Sequence, residues 1–180
     1  SMVNKKEFDT IYHEHFFYFS LFTLKHIFSE HGLSIYDVDE LETHGGSLRI
    51  YVTHQGNFLD ENSNKKNVDR VIGEELNNKM NSIEFYSGIK KDALNIKLKA
   101  LEYLIKEKKK GSKIIAFGAA AKGNTFLNYS GIKSDIIDFV VDETPYKIGK
   151  FMPQSKIPIH SFDKIAEEKP DVIIILPWNH

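Results

Sequence analysis

Two apolar spacings alternate along the chain. Between Phe8 and His31 there is no Pro or Gly, and Phe17, Leu21, Leu24, Ile27 and Phe28 recur at helical spacing, which predicts a helix. Gly32 suits the position just past its end. Leu33 to Val38 then predicts a strand. Gly45-Gly46 predicts a turn, and Leu48, Ile50 and Val52 alternate with Arg49, Tyr51 and Thr53 as in a half-buried strand. The expected order is helix, strand, turn-containing loop, strand.

From Lys66 to Lys110 the spacing is helical. Val68, Val71, Ile72 and Leu76 mark one stripe, and Ala93, Ile96, Leu101, Leu104 and Ile105 mark another. Ser87-Gly88 between them predicts a break or bend. The polar stretch Asp60 to Asn67 before them is the expected linker. The run Lys106-Glu107-Lys108-Lys109-Lys110 closes the helix, where cations face the negative end of its dipole.

Beyond Gly111, strands and helices alternate. Lys113 to Phe117 predicts a strand, followed by Gly118-Ala-Ala-Ala-Lys-Gly-Asn124 and a helix continuing through Thr125 to Tyr129. Ile136 to Val141 predicts a second strand ending at Asp142, and Ile157 to Ile159 a short third. Ser161 or Asp163 is placed to cap a helix through Glu168, stopped before Pro170. Val172 to Leu176 predicts a final buried strand. The pattern predicts an α/β fold: a Rossmann-like open parallel sheet with flanking helices and right-handed crossovers, preceded by a helix–β-hairpin segment.

Composition narrows the chemistry. A chain of 180 residues, 41% hydrophobic and 27% charged, is that of a soluble globular protein of one domain or one and a part. The longest apolar run, Val172 to Leu176, is far too short to span a bilayer, so no membrane association is expected. A net charge of −1 argues against non-specific nucleic-acid binding. The absence of cysteine excludes disulfides, a thiolate zinc site and a cysteine nucleophile. The first residues lack the apolar core of a leader, and the cytoplasm is the expected compartment. Six of the eight histidines lie in the first 54 residues, beside a dense run of Phe and Tyr.

Three motifs carry candidate chemistry. Gly118 to Gly123 matches G-x-G-x-x-G except that Ala120 replaces the middle Gly. The first Gly makes the turn and the last lets helix approach strand. The helix start offers N–H groups to an anion, with Lys122, Asn124 and Thr125 adding charge and donors. Asp142, 19 residues past Gly123, stands where a ribose hydroxyl is often held. Such a loop serves either a nucleotide-bearing ligand or packing alone. In Tyr12-His13-Glu14-His15, a helix would put Tyr12 and His15 on one face and Glu14 about 100° from His15. An imidazole beside a phenol suits proton transfer near neutral pH, and the alternative is the polar start of an aromatic-rich helix. The spacing is not H-E-x-x-H, and two histidines make an incomplete metal site, so no metal is expected. His44-Gly45-Gly46-Ser47-Leu48-Arg49 is either a hairpin loop or a loop bringing His44, Ser47 and Arg49 to an anionic substrate.

These motifs, with Val141-Asp142, Pro145, Lys147, Gly149, Ile157-Pro158-Ile159 and Leu176-Pro177-Trp178-Asn179, fall in the order seen in the C-terminal region of sugar C-methyltransferases, which this chain resembles over nearly its whole length. The resemblance implies a C-terminal fragment of an enzyme using S-adenosylmethionine (SAM), inactive alone, whose zinc domain and most of whose methyltransferase core are absent. Residues 1–60 would close that core with a helix and strand pair, and residues 61–180 would bind a nucleotide-linked sugar. Family members methylate a ring carbon beside the ketone of a dTDP-4-keto sugar. The resemblance implies His15 as general base, with Tyr12 and Glu14 positioning the sugar or its enolate. It places His44, Ser47, Arg49, the loop residues Gly118, Ala120, Lys122, Gly123, Asn124 and Thr125, and also Asp142 and Lys147, against the substrate. A strand edge left open by the missing sheet implies a homodimer. The competing expectations are a non-catalytic NAD(P)- or nucleotide-binding Rossmann module, or a purely structural interaction domain.

Overall fold

Ser20 sets where the first helix begins. Its backbone is extended, its hydroxyl accepts from Thr23 N at 3.1 Å, and α1 runs Leu21–Glu30. The protein, seen in a computed structural model, is described over residues 2–62 and 65–179, and at residues 44, 61 and 62 in backbone only. The helix expected from Phe8 is therefore shorter than its spacing suggested. Phe8–Thr10 forms a 3-10 turn, and residues 11–20 are not helical. Phe16 and Phe17 are 83% and 75% exposed, so no burial favours extending α1 through them, and the cap at Ser20 decides the boundary. Gly32, with φ +69°, ends α1 as expected.

β1, Leu33–Leu41, pairs antiparallel with β2, Ser47–His54, through a 3-10 turn at Thr43–Gly45 and Gly46 at φ +130°. A one-turn helix follows, α2, Phe58–Asn62, and then α3, Lys66–Asn77. Val68 and Val71 of α3 pack with Leu21, Ile35 and Val38. The buried Glu75 of α3 reaches α1: its Oε1 accepts from Leu21 N at 2.8 Å and its Oε2 from Phe22 N at 2.7 Å. A carboxylate there satisfies orphan donors at the positive end of the helix.

The expected linker is partly structured. Asp60 accepts from Lys65 Nζ at 2.7 Å and from Ser34 Oγ, and those bonds, Lys65 first, lower its carboxyl to about 2. Residues 63 and 64 of that stretch lie outside the described residues. The helical break also moves. α3 ends where Asn78 folds its amide onto Glu74 O at 2.8 Å and Lys79 takes φ +59°. α4, Ile83–Lys109, then continues through Gly88 without interruption. An isolated helical Gly costs only about 1 kcal/mol relative to Ala, which 27 residues of helix tolerate.

Two compact units result, Ser1–Glu7 with Phe16–Lys90, and Phe8–His15 with Lys91–His180. The division between these units falls within α4, and Val68 and Val71 of α3 pack in the hairpin core. The short segment Phe8–His15 belongs to the second unit.

That unit is the expected α/β fold. β3 (Ile114–Phe117), β4 (Val140–Val141), β5 (Ile159–His160) and β6 (Val172–Ile175) form a parallel sheet in the order β5-β4-β3-β6. α5 (Ala121–Ser130) and α6 (Asp163–Glu168) complete it. Leu104, Ile114, Ala116, Leu127, Ile137, Val140 and Leu176 share one core, while Ile115, Phe139 and Val141 pack with Phe162 and Ile165 in another. β4 is shorter than expected because Ile136 and Ile137 turn their N–H groups to Lys133 O. Neither Ser161 nor Asp163 caps α6; Phe162 occupies the cap position. β6 is not buried throughout. It lies at the end of the strand order, with Ile173 42% and Ile175 65% exposed. Among the described residues, no helix is long and apolar enough to cross a membrane.

Candidate functional site

β3 ends at Phe117, and Gly118 turns the chain with φ +85° while its N–H donates to Val141 O at 2.7 Å. A Cβ on Gly118 would lie 2.6 Å from Pro177 Cδ, and one on Gly123 would lie 2.5 Å from Leu176 Cβ. Both outer glycines are thus required by the segment that follows β6. Ala120 holds the N-cap position of α5 in extended conformation, without a side-chain cap. Asn124 places a buried Oδ1 without a hydrogen-bond partner, and Thr125 Oγ1 donates back to Ala121 O at 3.3 Å.

Asp142 is turned onto this loop. Its Oδ2 accepts from Ala119 N at 2.7 Å and from Lys147 Nζ at 3.2 Å, and its Oδ1 accepts from Thr144 N at 2.8 Å. Lys147 Nζ also donates to Ala119 O at 3.0 Å. Burial pushes the Asp142 carboxyl up, but the bonds from Thr144, Lys147 and Ala119 outweigh it and hold it below its ordinary value. Asp142 and Lys147 therefore shape the loop through its backbone.

Lys122, only 8% exposed, carries its Nζ 4.5 Å from the centre of the Trp178 ring, a cation–π contact. Trp178 Nε1 donates at 2.6 Å to Oδ2 of Asp9, which is buried. Beside Asp9, the Phe8 ring lies 4.9 Å from that of Tyr129 on α5. The 3-10 turn is thereby fastened to the α/β unit at two successive residues.

The segment continues into Tyr12-His13-Glu14-His15. Its geometry is a turn, with His15 N donating to Tyr12 O at 2.9 Å, and not the helix expected. The turn still brings Tyr12 and His15 together, ring centres 4.1 Å apart. His15 Nδ1 lies 2.8 Å from Thr10 O. A carbonyl oxygen only accepts, so Nδ1 carries the proton and the neutral ring has its lone pair on Nε2. The Glu14 side chain is 70% exposed and approaches His13 Nε2 at 3.9 Å.

The third motif belongs to the hairpin unit. Ser47 Oγ donates to Thr43 O at 2.9 Å, and Arg49 Nη1 lies 4.0 Å from Asp39 Oδ2 with both side chains largely exposed. The side chain of His44 lies outside the described residues. Tyr12, His15, the Gly118–Thr125 loop, Asp142 and Lys147 all belong to the α/β unit. Ser47 and Arg49 lie in the other unit. Among the described residues, no three His, Asp or Glu side chains converge as a metal-binding group.

Sequence reading missed Asp9, Thr10 and the ring of Trp178 as parts of this arrangement. No spacing rule pairs residues 169 positions apart. The one available signal was that Trp178 is the single tryptophan and sits inside a quoted motif.

Two comparisons bear on this arrangement. The family model described as C-methyltransferase C-terminal domain matches residues 42–180. The C-methyltransferase NovU of Streptomyces niveus is 30% identical over 179 residues, 99% of this chain and 42% of that protein. The chain thus spans less than half the length of this relative.

Proposed function

Because the chain belongs to the C-methyltransferase C-terminal domain family, we propose that it is the C-terminal part of a longer, SAM-dependent enzyme that methylates a nucleotide-linked 4-keto sugar. In this reading the chain binds the sugar and removes a proton from the carbon beside its ketone. The observation that carries it is the fixed tautomer of His15, whose Nδ1 is engaged by Thr10 O at 2.8 Å. With Nδ1 as donor, Nε2 is the ring atom assigned as the base, on the unit that also carries the glycine loop.

The step needs two things. A base must take the C–H proton, and the electron pair moves into the carbonyl to give an enolate whose oxygen must be stabilised. His15 Nε2 takes the proton. Tyr12, with its ring against that of His15, is placed to donate to the enolate oxygen. An aligned base contributes roughly 10²–10⁴-fold, and one oxyanion donor about 2.7–4 kcal/mol. The start of α5, with Lys122 and Asn124, supports a diphosphate reading. Glu14, His44, Ser47 and Arg49 remain proposed substrate contacts.

SAM, when bound, supplies the methyl group that the sugar carbon receives. The residues here do not fit as its seat. The glycine loop is followed by Asp142, whose carboxylate already accepts from Ala119 N, Thr144 N and Lys147 Nζ within this unit. The donor site is accordingly assigned to the remainder of the longer enzyme.

In the full-length enzyme, His15→Gln is expected to lower turnover by roughly 10²–10⁴-fold with sugar binding nearly intact. Unchanged turnover would remove the base assignment. Calorimetry of this chain with dTDP and with NADH tests the loop: heat with NADH and none with dTDP would favour a dinucleotide module instead.

A further inference from the structure

We propose that Asp9 and Trp178 are positioning residues for His15, acting through the carbonyl of Thr10. The catalytic meaning of the proposal rests on His15 being the base.

The chain of contacts is short. Trp178 Nε1 can only donate, and it donates at 2.6 Å to Asp9 Oδ2. Asp9 is 7% exposed, and a carboxylate so buried needs a donor. Asp9 is the middle residue of the 3-10 turn Phe8–Thr10. The next carbonyl in the chain, that of Thr10, is the acceptor for His15 Nδ1. A turn of three residues has too few internal bonds to hold its own geometry. It is fixed from outside, by Phe8 against Tyr129 and by Asp9 on Trp178. The Trp178 ring is itself held by Lys122 at the start of α5. The Thr10 carbonyl, and with it the ring nitrogen that carries the His15 proton, thus sits on a turn anchored by α5 and by Trp178 near the opposite end of the chain.

Releasing the tether should free the Thr10 carbonyl and let His15 redistribute between its two neutral tautomers. Only one of them keeps the lone pair on Nε2. The loss then appears in kcat and not in KM, because substrate binding does not depend on where that proton sits.

Long-range ¹H–¹⁵N NMR on this chain, labelled at histidine and held above the imidazole titration, reads the tautomer directly. The wild type should show His15 protonated at Nδ1. Trp178→Phe keeps a ring under Lys122 but removes the N–H, and should shift His15 toward a mixture. Asp9→Leu should do the same, while Asp9→Asn, whose amide oxygen still accepts from Nε1, should restore the wild-type signal. A folded Trp178→Phe chain with His15 still wholly in the Nδ1–H form would overturn the proposal. So would Asp9→Asn behaving like Asp9→Leu. In the full-length enzyme, Trp178→Phe should lower kcat by up to roughly 10²-fold at unchanged KM. The tautomer is read without turnover, so its failure leaves the base assignment standing. An active His15→Gln enzyme would remove that assignment and, with it, the catalytic role of the tether.

Discussion

In the α/β unit, Ile114, Ile115 and Ala116 of β3 and Val140 and Val141 of β4 are fully buried, with aliphatic or aromatic side chains against both sheet faces. The hairpin unit buries a smaller set, Leu21, Ile35, Val38, Val68 and Val71, and leaves Phe16, Phe17, Phe19 and Phe22 exposed. Its order depends on particular polar ties: Ser20 and Glu75 on the start of α1, and Asp60 between Ser34 and Lys65. The contrast follows from sheet type. A parallel sheet must be covered on both faces and so brings its own core. A two-stranded hairpin is marginal alone and needs helices and specific bonds to stay in place. Within the α/β unit, polar ties gather at the two ends of β3: the glycine loop with Asp142, Lys147 and the Lys122–Trp178–Asp9 chain at one, and Asp138 and Asp171 on the Ile114 and Lys113 N–H groups at the other.

Substitutions can separate packing from polar ties. The largest stability effect is expected for Gly123→Val. Its Cβ would meet Leu176 Cβ, which cannot swing away, at 2.5 Å, and the loss should be about 3 kcal/mol by chemical denaturation. An unchanged midpoint would show that the loop is not held by packing. Glu75→Ala probes the other unit. It leaves Leu21 N buried without its acceptor and should cost about 2 kcal/mol. Hydrogen exchange should quicken first at the start of α1, and uniform quickening across both units would erase the distinction drawn between them. The smallest effect on stability is expected for the pair Phe16→Ser and Phe17→Ser, within about 0.5 kcal/mol. Sedimentation should nevertheless change: the exposed aromatic run favours self-association at high concentration, and the doubly substituted chain should remain monomeric. A wild-type chain that is strictly monomeric at high concentration would count against the homodimer.

The glycine loop was legible because its glycines answer a local need. A strand-to-helix turn requires positive φ at Gly118, and that requirement shows in the sequence. β2 was legible as a strand, but its burial does not alternate as expected: Leu48 is exposed, and Ile50 and Val52 pack on the hairpin core. The first helix was misread because spacing from Phe17 onward is satisfied whether or not a core exists to receive the side chains. The break at Gly88 was misread because a helix of this length absorbs one Gly, while Asn78 and Lys79 end α3 by hydrogen bonding and backbone conformation that spacing does not record. Tyr12 and His15 were paired for a helical reason and are paired by a turn.

The sequence by itself determined the α/β alternation, the hairpin, the loop and the motif residues, because period, turn chemistry and residue type are local properties. Only the tertiary structure decided what those residues do to one another. It turned Asp142 inward onto Ala119, placed Leu176-Pro177 against the glycines, and joined Asp9 to Trp178 across 169 positions. Such contacts depend on where the chain returns in space, and a proton on one imidazole nitrogen is set by the carbonyl that the returning chain holds in place.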